Sequence, residues 1–159
     1  MRSVLILSMF SASLAFAGWG DFEETRELSL DAGGLASLAV NAGAGSLVIE
    51  GDRGADAVSV TAIIRVPTKN EDKAREIIAE HLVLSLVEKG DGAVLEAYFE
   101  EDGWSWGDSP SIAVEVTVPQ RFSLDVEDSS GSIQIHDVDG DLSLNDGSGS
   151  IKMSNMPYL

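Results

Sequence analysis

The stretch Leu124-Asp-Val-Glu-Asp-Ser-Ser-Gly-Ser-Ile-Gln-Ile135 is followed 18 residues later by Leu142-Ser-Leu-Asn-Asp-Gly-Ser-Gly-Ser-Ile-Lys-Met153. Aliphatic residues occupy the same alternate positions in both copies, and an aspartate and a Gly-Ser pair recur at the same places between them. Alternation with a period of two is typical of strands that bury one face. Repetition at a fixed offset indicates a chain that coils and stacks each coil on the one before. The sequence therefore predicts a mainly β fold, a single-stranded β-solenoid with coils of about 18 residues.

A third copy of the pattern lies far upstream, in Leu38-Ala-Val-Asn-Ala-Gly-Ala-Gly-Ser-Leu-Val-Ile49. Its Gly45 precedes the matching Gly131 by 86 residues, which is much more than one coil. The residues between these copies must therefore form an insertion or a differently built layer. Among them, the β-branched run Val58–Val66 predicts a strand that ends at Pro67, since proline cannot donate to a strand ladder.

The insertion also carries the pattern of one amphipathic helix. Thr68 and Glu71 have the spacing of a capping box, and the apolar residues that follow recur with helical spacing. These signals predict a helix over about 69–82. Two short alternating runs on either side of Gly90-Asp-Gly92 then predict a hairpin.

The first 17 residues have the pattern of a secretory signal peptide. Arg2 precedes an apolar run over residues 4–16, and Ala15-Phe-Ala17 fits a cleavage site. The apolar run is too short for a membrane span of about 20 residues, and no later segment is a candidate for one. We expect cleavage after Ala17, leaving one exported domain over 18–159. The chain has no cysteine, so disulfides and a lipid anchor on an N-terminal cysteine are both excluded.

The chain is strongly acidic, with a formal net charge of −17. The negative electrostatic potential of such a chain opposes binding to nucleic acid and to anionic lipid surfaces, and it favours cations or cationic partners. The alternative, which we favour, is that charged solvent faces keep the strand edges of a solenoid from aggregating.

These features together resemble the bacterial "putative adhesin" β-strand-repeat family, a domain of unknown function. The resemblance covers about residues 28–156 and rests on the signal peptide, the entry unit Ala42–Ile49, the helix-containing insertion, the strand that ends at Pro119 and the tandem Asp-x-Ser-Gly-Ser-Ile units. It implies a right-handed β-solenoid of the bacterial envelope without enzymatic activity. It also implies a periplasmic or envelope location rather than full secretion. Because a solenoid offers an extended wall that suits polymers or protein surfaces, we expect an envelope protein or a polysaccharide as partner.

Family members commonly continue with further repeats, whereas this chain ends at Leu159. One hypothesis is therefore that the solenoid is truncated at its C-terminus. Its last coil would then expose three apolar side chains on an open rung, those of Ile151, Met153 and Met156.

An acidic loop with two tryptophans is the first candidate binding site. Exposed indoles beside carboxylates can hold sugar rings or cations, and paired carboxylates can also hydrolyse glycosidic bonds. The loop predicts a glycan-binding module or a carbohydrate-active enzyme as the alternative to a non-enzymatic scaffold. The same tryptophans could instead plug the junction between helix and sheet. The candidate residues are Glu100, Glu101, Asp102, Trp104, Trp106 and Asp108.

The aspartates of the repeat corners are candidate ligands for a metal ion, because stacked carboxylates offer the hard oxygen atoms that calcium prefers. The candidates are Asp128, Asp139 and Asp146. No EF-hand loop or calcium-roll nonapeptide is present, and an aspartate before small residues is also an ordinary turn former. We therefore predict no cofactor, with calcium as the alternative.

Catalytic motifs are missing from the sequence. His81 and His136 are the two histidines, and neither lies in a recognised motif. No Gly-x-Ser-x-Gly elbow, dinucleotide fingerprint or P-loop occurs. The sequence therefore predicts a non-enzymatic scaffold or an adhesin-like binding module of the envelope.

Overall fold

The computed structural model of the protein describes residues 21–100 and 109–157. Within these ranges the chain forms nine strands and one helix, which confirms the prediction of a mainly β fold. The helix α1 (Glu71–His81) lies between β3 and β4. The strands are β1 (Phe22–Asp31), β2 (Ser37–Asp52), β3 (Ala57–Val66), β4 (Leu82–Lys89), β5 (Gly92–Phe99), β6 (Ser111–Pro119), β7 (Ser123–His136), β8 (Leu142–Asp146) and β9 (Gly149–Ser154).

The long strands β2 and β7 form the centre of the fold. They pair in parallel from Ser37 opposite Ser123 to Glu50 opposite His136, so each residue lies beside the one 86 positions later. The strands β8 and β9 then pair in parallel with the two halves of β7, at an offset of 18 residues. Both offsets are those at which the sequence repeats. Apolar residues of successive copies therefore stack on one another.

Glycine is required where these strands bend. Gly45, Gly131 and Gly149 lie side by side in the three copies, and each has a positive φ between 129° and 145°. A Cβ atom on Gly131 would overlap the carbonyl oxygen of Gly45, and one on Gly149 would overlap that of Gly131. The close approach of the three backbones explains why the repeat keeps glycine at this place.

The remaining strands do not continue the coil. β1 pairs antiparallel with β3, β3 with β6, and β4 with β5, whereas β5 and β6 run parallel to the first and second halves of β2. The resulting sheet is nearly closed on itself instead of being a uniform solenoid. A short connection explains the antiparallel pair of β4 and β5, whereas β1 with β3 and β3 with β6 join strands that are separated by other elements along the chain. The predicted hairpin is present as β4 and β5.

The helix begins two residues later than the sequence predicted. Asn70 is the N-cap, and its side chain accepts a hydrogen bond of 3.1 Å from the backbone amide of Lys73. The hydroxyl of Thr68 instead accepts from the amide of Asn70 at 3.2 Å, so the predicted capping box does not form. The predicted apolar face is confirmed, since Ala74 and Ile78 are buried.

One hydrophobic core runs through the stack and the inserted strands. Phe122, Leu38, Ile49 and Ile133 are completely buried in it. The edge formed by β9 is different, because Ile151 and Met153 are 45% and 37% exposed, as predicted. Met156, also expected to be exposed, packs against the core. In the described part of the chain, no helix is long and apolar enough to cross a membrane.

Candidate functional site

A groove of about 340 Å³ lies where β2 and β7 bend and β5 ends. Its size falls in the lower part of the range of small-molecule sites. The groove is lined by Asn41, Ala42, Gly43, Ala44, Tyr98, Phe99, Glu100, Ser109, Pro110, Ser129 and Ser130.

Part of the groove is formed where the bend of β2 packs against the end of β5. A Cβ atom on Gly43 would lie 2.8 Å from the Cβ atom of Tyr98, so glycine at this place lets the half-buried tyrosine lie against the bend. Asn41 is exposed beside it, and Ser129 and Ser130 come from the corresponding bend of β7. The groove therefore combines an aromatic ring, a carboxamide and two hydroxyls. These groups can stack on a sugar ring and hydrogen-bond to its hydroxyls.

The acidic tryptophan loop meets this groove at both of its ends. Glu100, at the start of the loop, and Ser109 and Pro110, which follow it, are all among the lining residues. The other predicted site residues of this loop lie outside the described residues: Glu101, Asp102, Trp104, Trp106 and Asp108. Among the lining residues that the structure describes, Glu100 is the one that carries a carboxylate.

The structure brings two of the three predicted metal ligands together. Asp128 and Asp146 are in-register neighbours on β7 and β8, and Ala42 holds the same place on β2. Asp128 is only 6% exposed. Neither of its carboxylate oxygens, nor Oδ1 of Asp146, has a hydrogen-bond partner among the described residues.

This environment favours the neutral form of Asp128. Burial, followed by the neighbouring charge of Asp146, raises the pKa of Asp128 to about 6. The nearby backbone amides of Ser130 and Ser129 act in the opposite direction, although they do not reach hydrogen-bonding geometry. Asp139 is elsewhere, in a turn where it accepts a hydrogen bond of 3.2 Å from Nε2 of Gln120.

A second cluster of titratable groups was not predicted from the sequence. Glu50, His136 and Asp137 each place one nitrogen or oxygen atom within 4.8 Å of the other two. Nδ1 of His136 lies 3.2 Å from Oδ2 of Asp137. The sequence contained a usable signal, because the 86-residue offset aligns Glu50 with His136. Sequence reasoning considered His136 only as a member of a recognised catalytic motif, and it lies in none.

No family model matches the chain, and no curated protein matches it. Three solved crystal structures are similar to it. A "putative cell adhesion protein" from Clostridium sporogenes ATCC 15579 has 14% identity and a TM-score of 0.44, and the match covers 84% of this chain and 58% of that chain. A "putative adhesin" from Bacteroides fragilis NCTC 9343 has 9% identity and a TM-score of 0.47, with coverage of 83% and 54%.

The third is a "putative adhesin" from Parabacteroides distasonis ATCC 8503, with 9% identity and a TM-score of 0.34. It is matched over 84% of this chain and 55% of that chain. This chain therefore spans between 54% and 58% of the length of each of these three proteins.

Proposed function

We propose that the chain is a non-enzymatic, adhesin-like binding module of the bacterial envelope, and that the groove at the bends of β2 and β7 binds a carbohydrate of its partner. The observation that carries this proposal is the lining of the groove. Tyr98 offers a ring face, while Asn41, Ser129 and Ser130 offer groups that donate and accept hydrogen bonds. Sugar recognition needs both kinds of contact, since a pyranose has apolar faces and polar edges.

Binding without hydrolysis is the better match to the described lining. Hydrolysis of a glycosidic bond uses two carboxyl groups about 5 to 10 Å apart across the substrate. Glu100 supplies one such group at the groove. A carbohydrate-active enzyme is the second candidate function, because Glu100, Ser109 and Pro110 bring both ends of the acidic loop to the groove. Its second carboxylate would come from Glu101, Asp102 or Asp108.

The proposal extends to the architecture and the location of the protein. The in-register stack of β2, β7 and the pair β8 and β9 would form successive coils of a right-handed solenoid within the domain 18–159, with the groove at one corner of the stack. Export would follow from removal of residues 1–17, and the periplasm or envelope would be the final location. Corners of stacked strands are suited to binding, because a rigid scaffold fixes side chains from several coils side by side.

The chain provides a matched pair of variants for the test. Asn41 and Asn145 hold the same position in different coils, since each aligns with Glu127, but only Asn41 is among the lining residues. Glycan arrays and isothermal titration with purified envelope polysaccharide would identify a ligand for the unmodified chain. We expect Asn41→Ala to weaken binding at least about tenfold, because it removes a hydrogen bond to the ligand in a polar site. Asn145→Ala should leave binding unchanged.

Two further results bear on the choice of function. Equal loss of affinity in Asn41→Ala and Asn145→Ala would contradict the groove as the binding site. Measurable polysaccharide cleavage that is abolished by Glu100→Gln or by Glu101→Ala with Asp102→Ala would replace the binding module with the enzyme.

A further inference from the structure

The second cluster lies at the opposite end of β2 and β7 from their first residues, and it is independent of the groove. Glu50 and His136 are direct neighbours on the two parallel strands, so their side chains leave the sheet side by side. Asp137 follows His136 with a φ of 59°, a left-handed conformation that ends the strand. This turn brings the Asp137 carboxylate back toward the imidazole of His136.

The two donors of His136 and Asp137 are already at the spacing of metal ligands. Nδ1 and Oδ2 are 3.2 Å apart. Two ligands about 2.0 to 2.1 Å from a tetrahedral zinc ion lie about 3.4 Å from each other. Glu50 is exposed, and one of its carboxylate oxygens lies within 4.8 Å of a ring nitrogen of His136 and of a carboxylate oxygen of Asp137.

The charges of the cluster are unbalanced without a cation. The carboxylate of Glu50 makes no hydrogen bond or ion pair with any residue in 21–100 or 109–157. The carboxylate of Asp137 has His136 and Asn155 as its hydrogen-bonding partners. One imidazole, even when protonated, can neutralise only one of the two carboxylates. A dication would neutralise both, and the net charge of −17 favours its approach.

Residues next to the cluster fix the position of Asp137. Asn155 is the residue 18 positions after Asp137, shares its left-handed conformation with a φ of 53°, and hydrogen-bonds to its carboxylate. A Cβ atom on Gly51 would overlap the carbonyl oxygen of Asp137, so glycine here allows the turn to lie against β2. Such outer partners fix the orientation of metal ligands in known sites.

We propose that Glu50, His136 and Asp137 bind a divalent transition-metal ion of the zinc class, with water completing the coordination. The imidazole decides the class of metal, because calcium and magnesium take oxygen ligands, whereas zinc, nickel and copper take imidazole readily. Three protein ligands on a surface leave one position open, so the site could bind a further ligand on the metal. The ion would also link β2 to β7 at the end of their longest shared ladder.

The test uses zinc chloride and the tag-free full chain at pH 7.5. We expect isothermal titration to show one zinc ion per chain and little heat with calcium chloride. The two histidines make the assignment direct, since long-range 15N–1H spectra should contain two imidazoles. Zinc should shift the signals of His136 and leave those of His81, which lies on α1, unchanged.

The variants separate a metal site from a general effect of charge. His136→Gln should abolish zinc binding, whereas His81→Gln should retain it. Asp137→Asn keeps a residue that tolerates the left-handed backbone, and with Glu50→Gln it should weaken binding at least about tenfold. Asn155→Ala should weaken it by about 10 to 100 times, as loss of an outer partner does.

Several results would overturn the inference. They are the absence of zinc binding by a folded chain, unchanged binding in His136→Gln, equal weakening by His81→Gln, or equal affinity for calcium and zinc. None of these outcomes depends on the groove, because Asn41→Ala should leave zinc binding unchanged.

Discussion

Replacement of Asp128 by asparagine changes the charge of the buried carboxyl pair while keeping its shape. In the native chain both carboxylate oxygens of Asp128 are buried without hydrogen-bond partners beside Asp146. At neutral pH the folded chain must either hold a proton there or carry a buried negative charge next to another carboxylate. Asparagine removes that charge, and its amide can donate a hydrogen bond to Asp146.

The expected magnitude follows from the raised pKa. Folding moves the pKa of Asp128 from 3.8 to about 6, so the folded state prefers the protonated form. The contribution of this group to stability is therefore complete below pH 3.8 and is lost as the pH rises through 6. A shift of this size corresponds to at most about 3 kcal/mol, and solvent screening of the partly exposed Asp146 reduces the expected loss to about 1 to 3 kcal/mol.

Urea denaturation of the native chain and of Asp128→Asn between pH 4 and pH 8 measures this effect. We expect Asp128→Asn to be more stable than the native chain by about 1 to 3 kcal/mol at pH 7.5, and the difference to vanish near pH 4. Asp125→Asn, three residues away on the exposed face of β7, serves as the control and should not change the pH dependence. A less stable Asp128→Asn at pH 7.5, or a difference that does not vary with pH, would refute the reasoning.

Three further predictions concern the stack and the helix. Gly131→Ala should destabilise the fold by more than about 3 kcal/mol in urea denaturation, because the added Cβ atom would overlap the backbone of Gly45. Gly90→Ala is the control: Gly90 has a φ of 64° but open space around it, so the substitution should cost about 1 kcal/mol. Ile133→Ala should cost about 2 to 5 kcal/mol and the stacked Ile151→Ala less than about 1 kcal/mol, because the first is completely buried and the second is 45% exposed; equal losses would contradict the open edge. Asn70→Ala should cost about 0.5 to 2 kcal/mol through loss of the helix cap, visible as a lower thermal midpoint.

The register of the stack could be predicted because the repeat contains it. The offsets of 18 and 86 residues between like glycines are the offsets between hydrogen-bonded partners. The partners of the inserted strands could not be predicted in the same way. Alternation in Val58–Val66 shows that one face is buried, but it does not say that β1 and β6 lie on either side.

The candidate sites were predictable only in part, for three physical reasons. Asp128 has the same parity as Leu124 and Val126, which places it on the inward face, but its aspartate side chain suggested a turn or a calcium ligand. The groove joins bends of β2 and β7 with the end of β5, and no local pattern records that meeting of distant segments. The cluster of Glu50 and His136 needed the 86-residue offset to be applied to polar as well as apolar residues.

The most direct measurement of the central claim is a nuclear magnetic resonance titration of the labelled chain with the envelope polysaccharide that it binds best. Our account predicts that the amide and side-chain signals of Asn41, Tyr98 and Ser129 shift together and saturate at one ligand site per chain. Shifts confined to the exposed edge at β8 and β9, with those three residues unchanged, would contradict it.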